Sequence, residues 1–155
     1  VELPLAVQGI SRSDRRRTAD TWLARVGLGE YANRLPRELS GGMRQRAQLA
    51  RALAGEPGVV LMDEPFGALD AQARPAMQRL LVEAWSASPT TVVFVTHDVD
   101  EALRLGDRVV VIGGSGVRAE LEVERPRDFD APVDPDARHT VLTALGAAQP
   151  QLQVA

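Results

Sequence analysis

Residues 36–47 read PRELSGGMRQRA, and Ser40, Gly41 and Gly42 within it are of the types that can hold a phosphate. Glycines lack side chains, so backbone N–H groups can approach a ligand closely, and the helix that follows presents the positive end of its dipole. The same Ser-Gly-Gly run is also an ordinary N-cap and turn, so the triplet alone leaves both readings open. A second group follows an apolar run, where VVLM at 59–62 stops at two adjacent carboxylates, Asp63 and Glu64. One of these can hold a hydrated magnesium ion while its neighbour orients or deprotonates a water for attack on a phosphoryl group. The plainer alternative is a pair of loop acids. His97 ends the next apolar run, where it can hydrogen-bond a terminal phosphate, position the water, or simply be a buried hydrogen-bonding histidine. Asp70, after FGAL, suits a helix cap, and His139 is expected at the surface.

These residues need elements to carry them. Ser11 and Ser13 can cap a helix whose inward face is Ala19, Trp22, Leu23 and Val26, with Gly27 as its stop. After the loop GLGEYANRLPRE, Ser40 leads into a second helix from about Met43 to Ala54, packed through Ala47, Ala50, Leu53 and Ala54 and ended by Gly55 and Pro57. The unbroken run Val59–Met62 predicts a strand buried on both faces of a parallel sheet. A helix with Met77, Leu80, Leu81, Ala84 and Trp85 on one face follows, with Pro75 in its first turn, and then a second buried strand over Thr91–Thr96. Strand, helix and strand make a crossover unit, so the strands should be parallel and the ligand side should be their carboxyl ends. A short helix over 100–105, the strand VVVI at 109–112, the turn GGSG and the alternating VRAELEVE complete the pattern, the last with Val117, Ala119, Leu121 and Val123 facing inward. From Pro126 onward a loose tail is expected, with one short helix near 137–145. The opening VELPL reads as extended chain, entered in mid-domain.

Composition narrows the classes. The chain of 155 residues has room for one domain with a real core. All basic residues are arginine, scattered among acids at a net charge of -3, so no basic field points to nucleic acid. Without cysteine there are no disulfides or thiolate metal sites, which suits a reducing cytosol. No stretch approaches the ~20 apolar residues that span a bilayer, and no signal-peptide pattern is present, so membrane association is expected to run through a partner.

Taken together, LSGGMRQRAQLARAL, VVLMDEPFGALD and VFVTHDVDEAL resemble the signature motif, the Walker B motif with its D-loop, and the H-loop of ABC-transporter ATPase subunits. LSGGMRQR, DEPFGALDA and VTHDVDEA are most similar to the importer group for nitrate, sulfonate and taurine. The resemblance covers roughly residues 1–125: a helical subdomain with the signature over about 9–50, a core over 55–125, and then the tail 126–155. It implies an α/β, P-loop NTPase-like fold, incomplete here, with a parallel sheet and a terminal antiparallel hairpin. It further implies that Ser40, Gly41 and Gly42 touch the γ-phosphate of ATP and that Asp63 serves Mg2+. Glu64 would be the catalytic base, Asp70 the D-loop acid and His97 the switch histidine. Met43 stands where glutamine is commoner in the motif, a change of one side chain that leaves the glycine corner intact.

One part of that family's machinery has no counterpart in these residues. A P-loop needs G-x-x-x-x-G-K-[ST], and the chain has no lysine. The glutamine loop is not found either, and Gln8 is not assigned to it. The sequence therefore reads as the C-terminal part of an ATPase domain. In the family, two such domains sandwich ATP head to tail, so the signature residues act in trans, whereas Walker B and the histidine serve their own P-loop. Losing even one phosphate donor costs about 3 kcal/mol, so the chain alone is expected neither to bind ATP tightly nor to hydrolyse it. The implied partners are a second ATPase subunit, as homodimer or heterodimer, and an integral membrane permease, with a periplasmic or extracellular solute-binding protein engaged indirectly. The implied location is the cytoplasmic face of the membrane. The alternative is a non-catalytic partner lending its signature corner to another subunit. A DNA- or ribosome-directed ATPase would favour a coiled-coil insertion or basic linkers around the signature, which are absent.

Overall fold

In the computed structural model, which describes residues 1–146 other than 68, 115 and 125, the chain does not begin extended. Glu2–Val7 form a helix, α1. Glu2 in its first turn complements the helix dipole, and Pro4 sits early enough that its missing N–H is no loss. Tertiary packing decides the outcome, because Leu5 is buried and Gln8 Nε2 donates to the Gly55 carbonyl at 2.7 Å.

Two units make up the chain, Val1–Val93 and Phe94–Ala155. In the first, α2 (Arg12–Arg25) is capped by Ser11, whose hydroxyl accepts from the Asp14 N–H at 3.3 Å. It ends as the sequence predicts, with Gly27 in the left-handed region at φ 69° and Leu28 N–H reaching back to the Leu23 carbonyl. Trp22, Val26 and Leu28 from this end are fully buried, and Leu23 is only half-buried. Next, α3 (Gly41–Ala54) packs on α1 and α2 and buries Leu49, Ala50, Leu53 and Ala54, while Arg46 donates to the Val26 carbonyl at 3.2 Å. A fully buried leucine contributes about 1.5–3 kcal/mol, so this helical layer has a core of its own.

The strand β1 (Val59–Asp63) and the helix α4 (Ala73–Ala87) lead to β2 (Thr91–Val95). The two strands form a parallel two-stranded sheet, as the crossover rule requires. Pro75 lies in the first turn of α4, and Met77, Leu81 and Ala84 face inward together with Gln78, a polar residue that the apolar spacing did not single out. The expectation of strands buried on both faces fails. Val60 is buried, but Val59 is 54% and Leu61 76% exposed, and β2 likewise alternates between exposed and half-buried residues. Within the described residues only one face of the sheet is covered, so a continuous apolar run behaves here as a period-two strand.

In the second unit α5 (Val99–Leu105) precedes β3 (Arg108–Gly113), which pairs antiparallel with β4 (Gly116–Glu122). The hairpin was legible, but the inward alternation breaks at one place. Val109 pairs with Leu121 and Val111 with Ala119, and an irregularity after Val111 brings Ile112 opposite Val117. The extra residue shifts that pair to the outer face, so Val117 is 65% exposed instead of inward. The short helix expected in the tail is present as α6 (Pro135–Gly146), and its Val141 packs with Leu103, Val109 and Val111. Position 115 of the GGSG turn and the end of the tail from 147 lie outside the described residues.

Candidate functional site

The Ser40 corner is built from both sides. Upstream, the Glu38 carboxylate accepts from the Leu35 N–H at 2.7 Å, which fixes the turn that delivers Ser40. Downstream, Arg44 reaches back to the Leu39 carbonyl at 2.6 Å. Ser40 is the N-cap of α3, and its Oγ accepts from the Met43 N–H at 3.3 Å. That bond uses a lone pair, so the hydroxyl hydrogen can still donate outward. The N–H groups of Gly41 and Gly42 are in the first turn, where a helix offers them no acceptor of its own.

Neither glycine is required by this chain's packing. A Cβ placed on Gly41 or Gly42 would meet nothing within 4 Å, and neither has positive φ. Bare backbone at an exposed helix start, with no internal reason for it, suits the close approach of something from outside.

The second corner lies at the end of β1. Asp63 and Glu64 are exposed, and Glu64 has φ 42°, a left-handed conformation that costs a non-glycine residue about 1–3 kcal/mol. The sequence points the other way, because residues before proline favour extended backbone and Pro65 follows. A tight turn holds the conformation: Gly67 N–H donates to the Glu64 carbonyl at 3.1 Å, Leu69 N–H to the Phe66 carbonyl at 3.0 Å, and Phe66 is buried. A Cβ on Gly67 would come within 3.3 Å of Glu64 Oε2, so the carboxylate folds back over this glycine.

Asp70 performs the capping role foreseen for it. Its Oδ1 accepts from Gln72 N–H at 3.0 Å and from Ala73 N–H at 2.8 Å at the start of α4. His97 is exposed and stands in the second unit, between Thr96 and Asp98, the N-cap of α5. His139 is exposed on α6, as expected. Among the described residues no three histidine, aspartate or glutamate side chains group to hold a metal ion. Magnesium keeps several waters and needs only one or two carboxylates beside phosphate oxygens, so Asp63, exposed at a strand end, fits that limited role. The structure thus brings together Ser40 to Met43 at one helix start and Asp63 with Glu64 at one strand end.

A family model described as ABC transporter matches residues 4–67. An ATP-binding protein of Brucella abortus (strain 2308) is 45% identical over 97% of this chain and 61% of its own length. The aliphatic sulfonates import ATP-binding protein SsuB 1 of Streptomyces avermitilis is 45% identical over 89% of this chain and 54% of its own. For the nitrate import ATP-binding protein NrtD of Synechocystis the figures are 43%, 85% and 50%. The chain therefore spans about half to three fifths of the length of these relatives. Among solved structures, a metal-chelate type ABC transporter in an inward-facing conformation superimposes with a TM-score of 0.69 at 27% identity, over 88% of this chain and 50% of that one. By motif, overall sequence and fold, the chain belongs to the family of ABC-transporter ATP-binding subunits.

Proposed function

We propose that this chain is part of an ATP-hydrolysing subunit of an ABC importer, coupling hydrolysis to the uptake of nitrate, a sulfonate, taurine or a similar small solute through a membrane permease. The observation that carries the reading is the Ser40 corner, where Gly41 and Gly42 leave backbone bare toward the outside with no packing reason inside the chain. Its ligand is the γ-phosphate of an ATP held by a second subunit. There the Ser40 hydroxyl and the two glycine N–H groups donate to phosphate oxygens, and the dipole of α3 adds to their attraction. Asp63 would hold the magnesium ion, which neutralises charge on the phosphates. Glu64 accepts a proton from the attacking water, and His97 hydrogen-bonds the terminal phosphate. The solute assignment leans on the named sulfonate and nitrate relatives. No described helix is long and apolar enough to cross a membrane, so α2 and the loop before Ser40 would meet the permease as a soluble surface.

A composite-site experiment tests this. A full-length P-loop relative such as the Streptomyces avermitilis sulfonate protein, with its own signature serine replaced, is mixed with this chain. ATP turnover should reappear, because the relative's phosphates now face Ser40, Gly41 and Gly42. Absence of both association and turnover overturns the reading. The 155 residues by themselves should show no turnover, and an activity abolished by Glu64→Gln would refute that half of the proposal.

In a second reading, the chain is a non-catalytic partner that contributes its Ser40 corner alone. The composite site then works as before, while Asp63 and Glu64 can be replaced without consequence in the native assembly.

A further inference from the structure

The chain that follows β4 holds α5 along its whole length, while α6 also packs on β3 and β4. At the front, Arg138 Nε of α6 donates to Asp100 at 2.7 Å. Along the middle, Val141 packs with Leu103, and the Arg104 guanidinium lies 5.8 Å from the centre of the Phe129 ring. At the rear, the Arg127 N–H donates to the Arg104 carbonyl at 2.6 Å. The Arg127 guanidinium donates to the Leu105 carbonyl at 3.2 Å and to Asp107 Oδ2 at 3.0 Å, with a further short bond to Asp107 Oδ1. Arg127 makes these bonds from a left-handed backbone, φ 65°, a conformation that persists only where the surroundings over-determine it. Its hydrogen bond and charge hold the Asp107 carboxyl below the usual carboxylate range, which keeps the pair ionised.

We propose that Arg127–Gly146 is a brace that sets the position of α5 and thereby of His97, with Arg127 as the principal positioning residue. A helix of seven residues has little stability of its own, since isolated helices shorter than about 12–15 residues are marginal in water. Its placement depends on what holds it. His97 directly precedes its N-cap, in which Asp98 Oδ1 accepts from Glu101 N–H at 3.0 Å and Asp98 N–H donates to Thr96 Oγ1 at 3.1 Å. A shift of α5 therefore moves His97 with it. The Arg138–Asp100 pair is about half exposed at both side chains and contributes little by itself. The Arg127 side chain is 22% exposed and bonded to the Leu105 carbonyl and the Asp107 carboxylate, so it carries most of the hold. The functional interest of the brace rests on the reading of His97 as the phosphate-facing histidine.

The experiment needs no nucleotide, so its failure is separate from any failure of the ATPase reading. The chain has two histidines, and His139→Gln assigns the imidazole signals of His97 in an NMR spectrum. Arg127→Ala should displace the His97 signals and raise amide exchange over Ala102–Leu105 by roughly tenfold, as expected for losing a charge-assisted bond. Arg127→Lys keeps the charge without the two-pronged geometry and should displace His97 in the same direction. Arg138→Ala should give a smaller displacement of the same sign. Unmoved His97 signals in Arg127→Ala, with the β3–β4 amides intact, overturn the proposal even if thermal stability falls. Should Arg127→Ala fail to fold, an unmoved His97 in Arg138→Ala together with Arg127→Lys overturns it.

Discussion

The first unit contains two corners proposed to face phosphate, and they are built on opposite principles. The Ser40 corner is relaxed: its cap bond is ordinary, its glycines keep negative or unremarkable φ, and side chains could be added to them without touching anything. The Glu64 corner is crowded and strained, with a left-handed glutamate before a proline and its carboxylate folded over Gly67. The difference fits two tasks. A surface that meets a ligand carried by another subunit must present open backbone that needs no rearrangement. A carboxylate that must hold one water in line gains from a backbone that allows it few alternatives.

Gly42→Ala separates the two corners most sharply and should have the largest effect. In the composite site a methyl group would stand where the phosphate approaches, so turnover should fall by about 100-fold, the usual scale for losing a preorganised donor. The folded chain should not suffer, since alanine favours a helix over glycine by up to about 1 kcal/mol and the new Cβ meets nothing. Urea midpoints and turnover measured on the same preparation decide the matter. Unchanged turnover would reduce the corner to a plain N-cap and remove the contrast.

The corners also differ in how far the sequence disclosed them. Ser40 before Gly41 and Gly42 states a cap by residue type alone, and α3 begins where that implies. Asp63 and Glu64 after an apolar run disclosed their place at the end of β1, but nothing disclosed the backbone of Glu64. Pro65 argued against it, and the cause is a turn closed by the Gly67 N–H on the Glu64 carbonyl and anchored by buried Phe66 two residues on. The same limit explains the other departures. VELPL became α1 because Leu5 is buried and Gln8 finds a partner in Gly55, the C-cap of α3, a contact far away in sequence. Val117 turned outward because of a bulge that alternation cannot reveal. Periodicity records what a residue can bury, whereas long-range partners decide whether it does.

Ser40→Ala tests the relaxed corner for its structural share. Loss of the Met43 N–H acceptor should cost about 1 kcal/mol, read as a lowered urea midpoint with an unchanged slope. Turnover in the composite site should also fall, since the hydroxyl that caps the helix is the one proposed to donate to phosphate. Ser40→Asn, another good cap, should restore the midpoint but not the turnover. Recovery of both would mean that capping is the only service the serine performs.

Glu64→Gly probes the strained corner and should have the smallest effect, with the opposite sign. Glycine occupies the left-handed region without a Cβ clash, so the substitution relieves strain of about 1 kcal/mol or more. Glycine also adds unfolded-state entropy, and the contact of the carboxylate with Gly67 is lost. These losses offset part of the relief, and the net expectation is a gain of no more than about 1 kcal/mol. A rise in urea midpoint would mean that the glutamate is kept at a cost to stability, as expected of a residue placed for chemistry. A fall would mean that its carboxylate is part of what holds the turn, and the strained corner would then be structural in the same sense as the Asp70 cap beside it.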